Sequence, residues 1–257
     1  MLQVKHLESQ TLKEQFDRNG FIVMNAFGLA QLKDIQTAAK RELSEQLKPF
    51  ELEADVQYPG APENASVSGG STPRRLLRAF SRNKIFTQWA SNPAVADTLK
   101  DLLTCTQLWL NPNHHNCLMT KLPDFSSDTL WHRDTRYWSF NTPNLINTWL
   151  ALGNERAENG ALMVIPGSHK ITLEPDQLDK GQFLNPYHPK NLALLARAEP
   201  VELEAGDMLV FSANLFHAGS RNLTNKAKLS LVFTYHGEDT KPIAQSRSAA
   251  LPEIIIS

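Results

Sequence analysis

Up to about residue 105 the apolar positions recur with helical spacing, and beyond it they alternate or gather in short runs. "TLKEQFDRNG" has a helical pattern that stops at Gly20, "FIVMNAF" reads as a strand, and "LAQLKDIQTAAKRELSEQL" predicts a long amphipathic helix. Two more helices are expected over roughly 83–90 and 93–104. From Thr106 the runs "QLWLN", "NCLMTKL", "TLWHRD", "LINTWLAL", "ALMVI", "PVELE", "DMLVFSA" and "KLSLVFTYH" read as strands, separated by Gly, Pro, Asn and Asp. Helices followed by a set of strands predict an α+β protein, a barrel or sandwich, rather than alternating βαβ units. No GxGxxG or GxxxxGK[ST] occurs to favour a nucleotide fold. The expected organisation is a single domain over 1–257. Residues 1–105 form a mainly helical flank, and 106–257 form the β core. Residues 172–198 interrupt that core as an insertion in which "PKNLALLARA" predicts a short helix. "YPGAPENASVSGGSTP", Tyr58 to Pro73, reads as a long surface loop.

Composition narrows the function classes. With 41% hydrophobic residues in 257 the chain can bury a sizeable core. Lys plus Arg number 26 against 27 Asp plus Glu, so no global positive field draws it to nucleic acid or to an acidic membrane. "MLQVKHLESQ" has no apolar run of signal-peptide length, and no stretch approaches the roughly 18 apolar residues of a membrane span. A cytoplasmic location is the default expectation. Cys105 and Cys117 are the only cysteines and form no CxxC, which argues against a disulfide framework and a thiolate zinc site. A bound metal would need histidine and carboxylate.

"TLWHRDTRYW" offers such ligands. His132-Arg133-Asp134 has the letters of a kinase catalytic loop, but Ser139 stands where that loop needs Asn, and the Gly-rich and DFG motifs are absent. On a strand, residues i and i+2 share a face at roughly 6.5 to 7 Å, so His132 and Asp134 can lean toward one ion. His217, at a strand mouth in "DMLVFSANLFHAGSRN", is the best third ligand. Two histidines and a carboxylate leave three octahedral positions open, as in non-haem Fe(II) oxygenases. The residues alone leave two other readings open: polar strand residues with no metal, or catalytic zinc. Against zinc hydrolysis, HExxH is absent and no Glu is evidently placed as a base. His6, His114, His115 and His188 read as solvated or locally bonded, His169 as a turn residue, and His236 as a core or rim residue.

Four segments, in order, resemble the phytanoyl-CoA dioxygenase family of Fe(II)- and 2-oxoglutarate-dependent oxygenases. They are "FDRNGFIVMNAF", "WHRD", "NTWLALGNERAENGALMVIPGSHK" and "EAGDMLVFSANLFHAGSRN". The resemblance implies a double-stranded β-helix core (jelly-roll, cupin-like) with the N-terminal helices packed on one side. It implies Fe(II) on His132, Asp134 and His217, with 2-oxoglutarate and O2 as cosubstrates. The family's Arg for the far carboxylate of 2-oxoglutarate falls on Lys228, which brings charge and three donors but no planar fork. Arg221 is a possible substitute, although strand parity favours Lys228, which shares a face with Ser230. Gly219 stands where the family commonly has Ser, Trp149 falls near a tryptophan lining the cosubstrate pocket, and Lys121 falls on a position often held by lysine. The reaction implied is oxidative decarboxylation of 2-oxoglutarate to succinate and CO2, coupled to substrate oxidation. Retained Asp134 favours hydroxylation over halogenation, since halogenases leave that position for chloride.

Residues 58–73 and 172–198 are candidate flaps over the site. Arg136, Tyr137 and Trp138 are candidate substrate contacts at the rim. With Arg74, Arg75 and Arg78 they suit an anionic small molecule, the alternative being arginines paired on a helix face and aromatics in the core. A metal- or small-molecule-binding protein without turnover, for which the Lys228 departure speaks, is the other class of function.

Overall fold

A computed structural model describes residues 9–25, 29–56 and 58–256. His6, Ala26 and Phe27, which figure in the expectations above, lie outside them. The N-terminal part runs α1 (Ser9–Asn19), β1 (Phe21–Asn25), α2 (Leu29–Ser44), β2 (Phe50–Leu52), β3 (Pro73–Leu77), α3 (Ala79–Arg82), α4 (Lys84–Ala90) and α5 (Pro93–Leu103). The remainder runs β4 (Leu108–Leu110), β5 (Asn116–Lys121), β6 (Thr129–His132), β7 (Leu145–Ala151), β8 (Leu162–Val164) and α6 (Pro189–Leu195). It ends with β9 (Glu199–Pro200), β10 (Asp207–Ser212), β11 (His217–Gly219), β12 (Lys228–Gly237) and β13 (Ile254–Ile256).

Local chemistry sets the helix ends. α1 buries Leu12 and Phe16 one turn apart and stops where Gly20 adopts φ +82° and donates its N–H to the Phe16 carbonyl. Before α5, the Asn92 side chain accepts from the N–H groups of Ala94 and Val95, and Pro93 occupies the first turn, where its missing N–H costs nothing.

Two antiparallel sheets carry the rest. The larger has the order β1-β10-β7-β12-β5-β3-β2, with β4 alongside the second half of β12 and β13 beyond β4. The smaller has the order β6-β11-β8-β9. The central strands are buried on both faces, and strand parity divides their side chains between two environments. Ile146 and Leu150 of β7, Met208 and Val210 of β10, and Leu229, Leu231, Phe233 and Tyr235 of β12 pack in one core with the helices. Trp149, Leu209, Phe211 and Val232, on the opposite parity, pack with Leu162 and Val164 of the smaller sheet. Helices therefore cover one face of the large sheet, and the small sheet covers the other.

The segment "TPRRLLRAF" departs from the helix-face alternative. Residues 73–77 form β3, with Arg74 and Arg75 in ion pairs with Glu53 and Glu51 instead of on a helix surface. Buried ion pairs hide the apolar alternation that would mark a strand. The insertion at 172–198 holds α6 and an isolated bridge between Leu178 and Leu184. Among the described residues no helix is long and apolar enough to cross a membrane.

Leu150 is fully buried on the helix-covered face. Leu150→Ala is expected to cost about 2–5 kcal/mol in denaturant unfolding, while metal affinity, set on the opposite face, stays as in the parent.

Candidate active site

The two histidines named from sequence meet across a strand pair. His217 of β11 is the register partner of His132 at the end of β6, and their ring centroids lie 4.2 Å apart. Each ring donates Nδ1–H to the carbonyl two residues earlier, His132 to Leu130 at 2.7 Å and His217 to Leu215 at 3.0 Å. That tautomer leaves a bare lone pair on each Nε2. Burial pushes both imidazoles below their ordinary pKa, His132 well below, so both are neutral. Asp134 Oδ1 lies 3.7 Å from Nε2 of His132 and 3.8 Å from Nε2 of His217. Three lone-pair atoms thus converge with no proton between them, a grouping that a cation placed among them would stabilise. All three atoms lie within 4.8 Å of one another, close enough for a single ion to be shared among them. The donor set therefore fits a divalent metal.

Asp134 does not reach this position by strand parity. β6 ends at His132, and Asp134 opens a 3-10 turn, Asp134–Tyr137, in which Asp134 and Thr135 both donate N–H to the Ala213 carbonyl. The turn, pinned to the approach to β11, aims the carboxylate. Arg133 points away, stacked over Phe216 and donating to the carbonyls of Ser168 and Ile171.

Sequence reasoning missed the residues that hold Asp134. Asn147 donates Nδ2–H to Asp134 Oδ2 at 2.7 Å and itself accepts from Thr234 Oγ1. Its signal was available, since Asn147 shares a strand face with Trp149. His115 lies 3.1 Å from Asp134 Oδ1 through Nε2 and His114 lies 2.7 Å from Ser248 Oγ through Nε2, so the expectation that both are solvated or locally bonded is corrected: each is held by a partner distant in sequence. Burial lowers the His115 pKa, but the adjacent Asp134 carboxylate outweighs it and raises it to about 9. Burial likewise opposes the Asp134 charge, yet the charged, hydrogen-bonded His115 holds its pKa well below the carboxylate range. His114 stacks on Trp138 at 4.5 Å and, through burial and its neighbour His115, has its pKa lowered to about 3.

The four residues nominated for the cosubstrate also come together, with an unforeseen partner. Lys228 Nζ, Ser230 Oγ and Trp149 Nε1 all donate to the carboxylate of Glu155, at 2.9, 2.6 and 3.0 Å. Glu155 follows β7 in a loop and carries no motif that would have singled it out. Lys121 is the register partner of Lys228, and its Nζ donates to the carbonyls of Ser127 and Gly219. Gly160, in the "ENG" segment, has φ +83°, and a Cβ there would lie 2.5 Å from the Ser220 carbonyl oxygen and 2.7 Å from Lys121 Cδ, so the position calls for glycine. Arg221 pairs with Asp128 at 2.6 Å and is thereby removed as a substitute for Lys228.

A cavity of about 240 Å³ joins these groups; its lining includes the triad, Lys121, Lys228, Trp149, Arg75, Arg136 and Arg247. Arg136 donates to Tyr58 Oη and the Gly181 carbonyl and stacks over Phe183 at 3.8 Å, so it ties together both candidate flaps. Phe183 in turn meets the His132 ring edge-on at 6.0 Å. Tyr137, largely exposed, donates its hydroxyl to Gly181, and Trp138 lines the cavity beside His114. Among the lining residues the carboxylates are Asp134 and Glu51, and Glu51 is bound by Arg75 at 3.0 Å. No free carboxylate lines the cavity as the general base a zinc hydrolase would need.

The phytanoyl-CoA dioxygenase (PhyH) family model matches residues 16–230. The chain belongs to the phytanoyl-CoA dioxygenase family. A probable phytanoyl-CoA dioxygenase of Caenorhabditis elegans is 27% identical over 70% of this chain and 63% of its own length. The peroxisomal phytanoyl-CoA dioxygenase of Homo sapiens is 30% identical over 81% of this chain and 62% of its own length. The matched part therefore spans less than two thirds of these relatives. EctD from Sphingopyxis alaskensis, solved with 2-oxoglutarate and 5-hydroxyectoine, superposes with a TM-score of 0.75 at 20% identity, covering 94% of this chain and 79% of that one. The epimerase SnoN from nogalamycin biosynthesis gives 0.73 at 20% identity, over 95% and 89%. The shared fold is the double-stranded β-helix, here with the family's helices stacked on the large sheet.

Because Asn147 orients the carboxylate, Asn147→Ala is expected to weaken Fe(II) or Co(II) binding about 10- to 100-fold in a metal titration, with the fold retained.

Proposed function

We propose that this chain is an Fe(II)- and 2-oxoglutarate-dependent oxygenase that hydroxylates a compact anionic molecule, releasing succinate and CO2. The observation that carries this reading is the convergence of His132 Nε2, His217 Nε2 and Asp134 Oδ1, free of protons, in residues that line the cavity. In this reading His132, Asp134 and His217 hold Fe(II), which with 2-oxoglutarate supplies the O2-activating chemistry. Lys121 and Lys228 receive the far carboxylate, Lys228 stacked on Trp149 at 4.8 Å, with Ser230 beside it on the same strand face.

The cavity volume lies below the roughly 300–1,000 Å³ common for ligand pockets, which favours a small substrate or the reacting end of a larger one. Arg136 and Arg247 line it without an ion-pair partner among the described residues, which supports an anionic substrate, with Tyr137 and Trp138 at the same rim. Tyr58 and Phe183, closed on Arg136, would keep bulk water from the reacting centre.

Anaerobic addition of Fe(II) and 2-oxoglutarate is expected to produce a visible charge-transfer band that His132→Ala abolishes. Metal uptake without any band, and without succinate release, would instead favour a binding protein. The cosubstrate should also bind in a pH-dependent way. Burial, then the nearby Lys228 and Arg74 charges, depress the Lys121 pKa to about 7. The ammonium form attracts the carboxylate, so affinity is expected to fall as pH rises above about 7, and Lys121→Arg, which keeps its charge, should flatten the profile. Titrations of the charge-transfer band across neutral pH measure both slopes.

A further inference from the structure

Glu155 is a buried carboxylate that the proposed reaction does not use. It is 0% exposed, and its backbone exchanges hydrogen bonds with Leu203 at 2.8 and 3.0 Å, which fixes it behind the cavity wall. It does not line the cavity, whereas two of its three donors, Lys228 and Trp149, do. A buried ion pair of this kind is seldom needed for stability, since apolar residues of the same volume often serve as well or better. Its consequence is electrostatic. Lys121 and Lys228 bring two positive charges to one end of the cavity, and Lys121 has only backbone carbonyls as partners. Glu155 cancels one of the two. The wall then presents a single net positive charge, and the Lys228 ammonium has one of its three N–H groups committed to the protein's own carboxylate.

We propose that Glu155 is a specificity-determining counter-ion: it competes with the far carboxylate of the 2-oxo acid for Lys228, and so sets how strongly the site prefers a dicarboxylate over a monocarboxylate. This rests on the cosubstrate reading above. Two unit charges sharing one ammonium repel each other, so the native site binds 2-oxoglutarate more weakly than its two lysines alone would. Removing the Glu155 charge leaves Lys228 buried and unpaired, and an incoming carboxylate becomes its only counter-ion.

The test uses the full chain loaded with Fe(II) under anaerobic conditions. 2-Oxoglutarate and 2-oxopentanoate, which has a methyl in place of the far carboxylate, are titrated by calorimetry and by the charge-transfer band. Glu155→Gln is expected to tighten 2-oxoglutarate about tenfold or more while 2-oxopentanoate changes less than about twofold. The paired change Glu155→Gln with Lys228→Met removes the unpaired lysine and with it the gain: it should bind 2-oxoglutarate at least about tenfold more weakly than Glu155→Gln. Glu155→Asn, expected to tighten 2-oxoglutarate in the same way, serves if Glu155→Gln fails to fold. A folded Glu155→Gln protein with unchanged or weaker 2-oxoglutarate binding overturns the proposal. So does a paired variant that keeps the tightened binding, because the gain would then not pass through Lys228. If neither native protein nor Glu155→Gln binds 2-oxoglutarate although both bind metal, the cosubstrate reading itself falls. Binding that appears only in Glu155→Gln supports the counter-ion role in its strongest form.

Discussion

The backbone pairing of His217 with His132 is the constraint on which the site depends. It joins the end of β6 to the start of β11, and the register slips before Gly219 meets Thr129, a bulge of the kind that re-aims side chains beside active sites. Both ring orientations and the Asp134 turn are then fixed by hydrogen bonds to main-chain carbonyls at Leu130, Ala213 and Leu215. The ligand geometry is built from backbone before any ion arrives. Gathering three lone pairs in a buried site is unfavourable without a cation, so part of the stability of the loaded protein resides in the metal.

The large sheet makes this arrangement affordable. One parity of β7, β10 and β12 packs Ile146, Leu150, Met208, Val210, Leu231 and Phe233 against the helices. The other parity carries Asn147, Thr234, Lys228 and Ser230, all buried and all hydrogen-bonded. Desolvating those polar groups is offset partly by their mutual bonds and partly by the apolar face of the same strands.

Much of this was legible in the chain. Helical spacing marked α1, α2, α4 and α5, and alternating runs marked β5, β7, β10 and β12, because in these elements local periodicity and tertiary burial coincide. β3 and β11 were not foreseen as strands: Arg74 and Arg75 replace apolar residues with ion pairs, and three residues around His217 are too few to show a period. The ligands His132, Asp134 and His217 were nameable from spacing and resemblance, although Asp134 arrives through a turn. His115 and Glu155 were hidden for a different reason. Each lies outside the strand runs that were read for function, and what brings it to the site is a contact distant in sequence: His115 to Asp134, Glu155 to Lys228.

β12 spans ten residues, buried throughout, and it serves the helix-packed core on one face and the polar wall of the cavity on the other. A substitution along it therefore disturbs the fold and the chemistry together, and neither can drift without the other. The segments around Tyr58 and Phe183, which meet the 3-10 turn through Arg136 and Tyr137, carry no such double duty. Those loops can be rewritten to fit a different molecule at the cavity mouth while the sheet beneath them, and the ligands it holds, stay as they are.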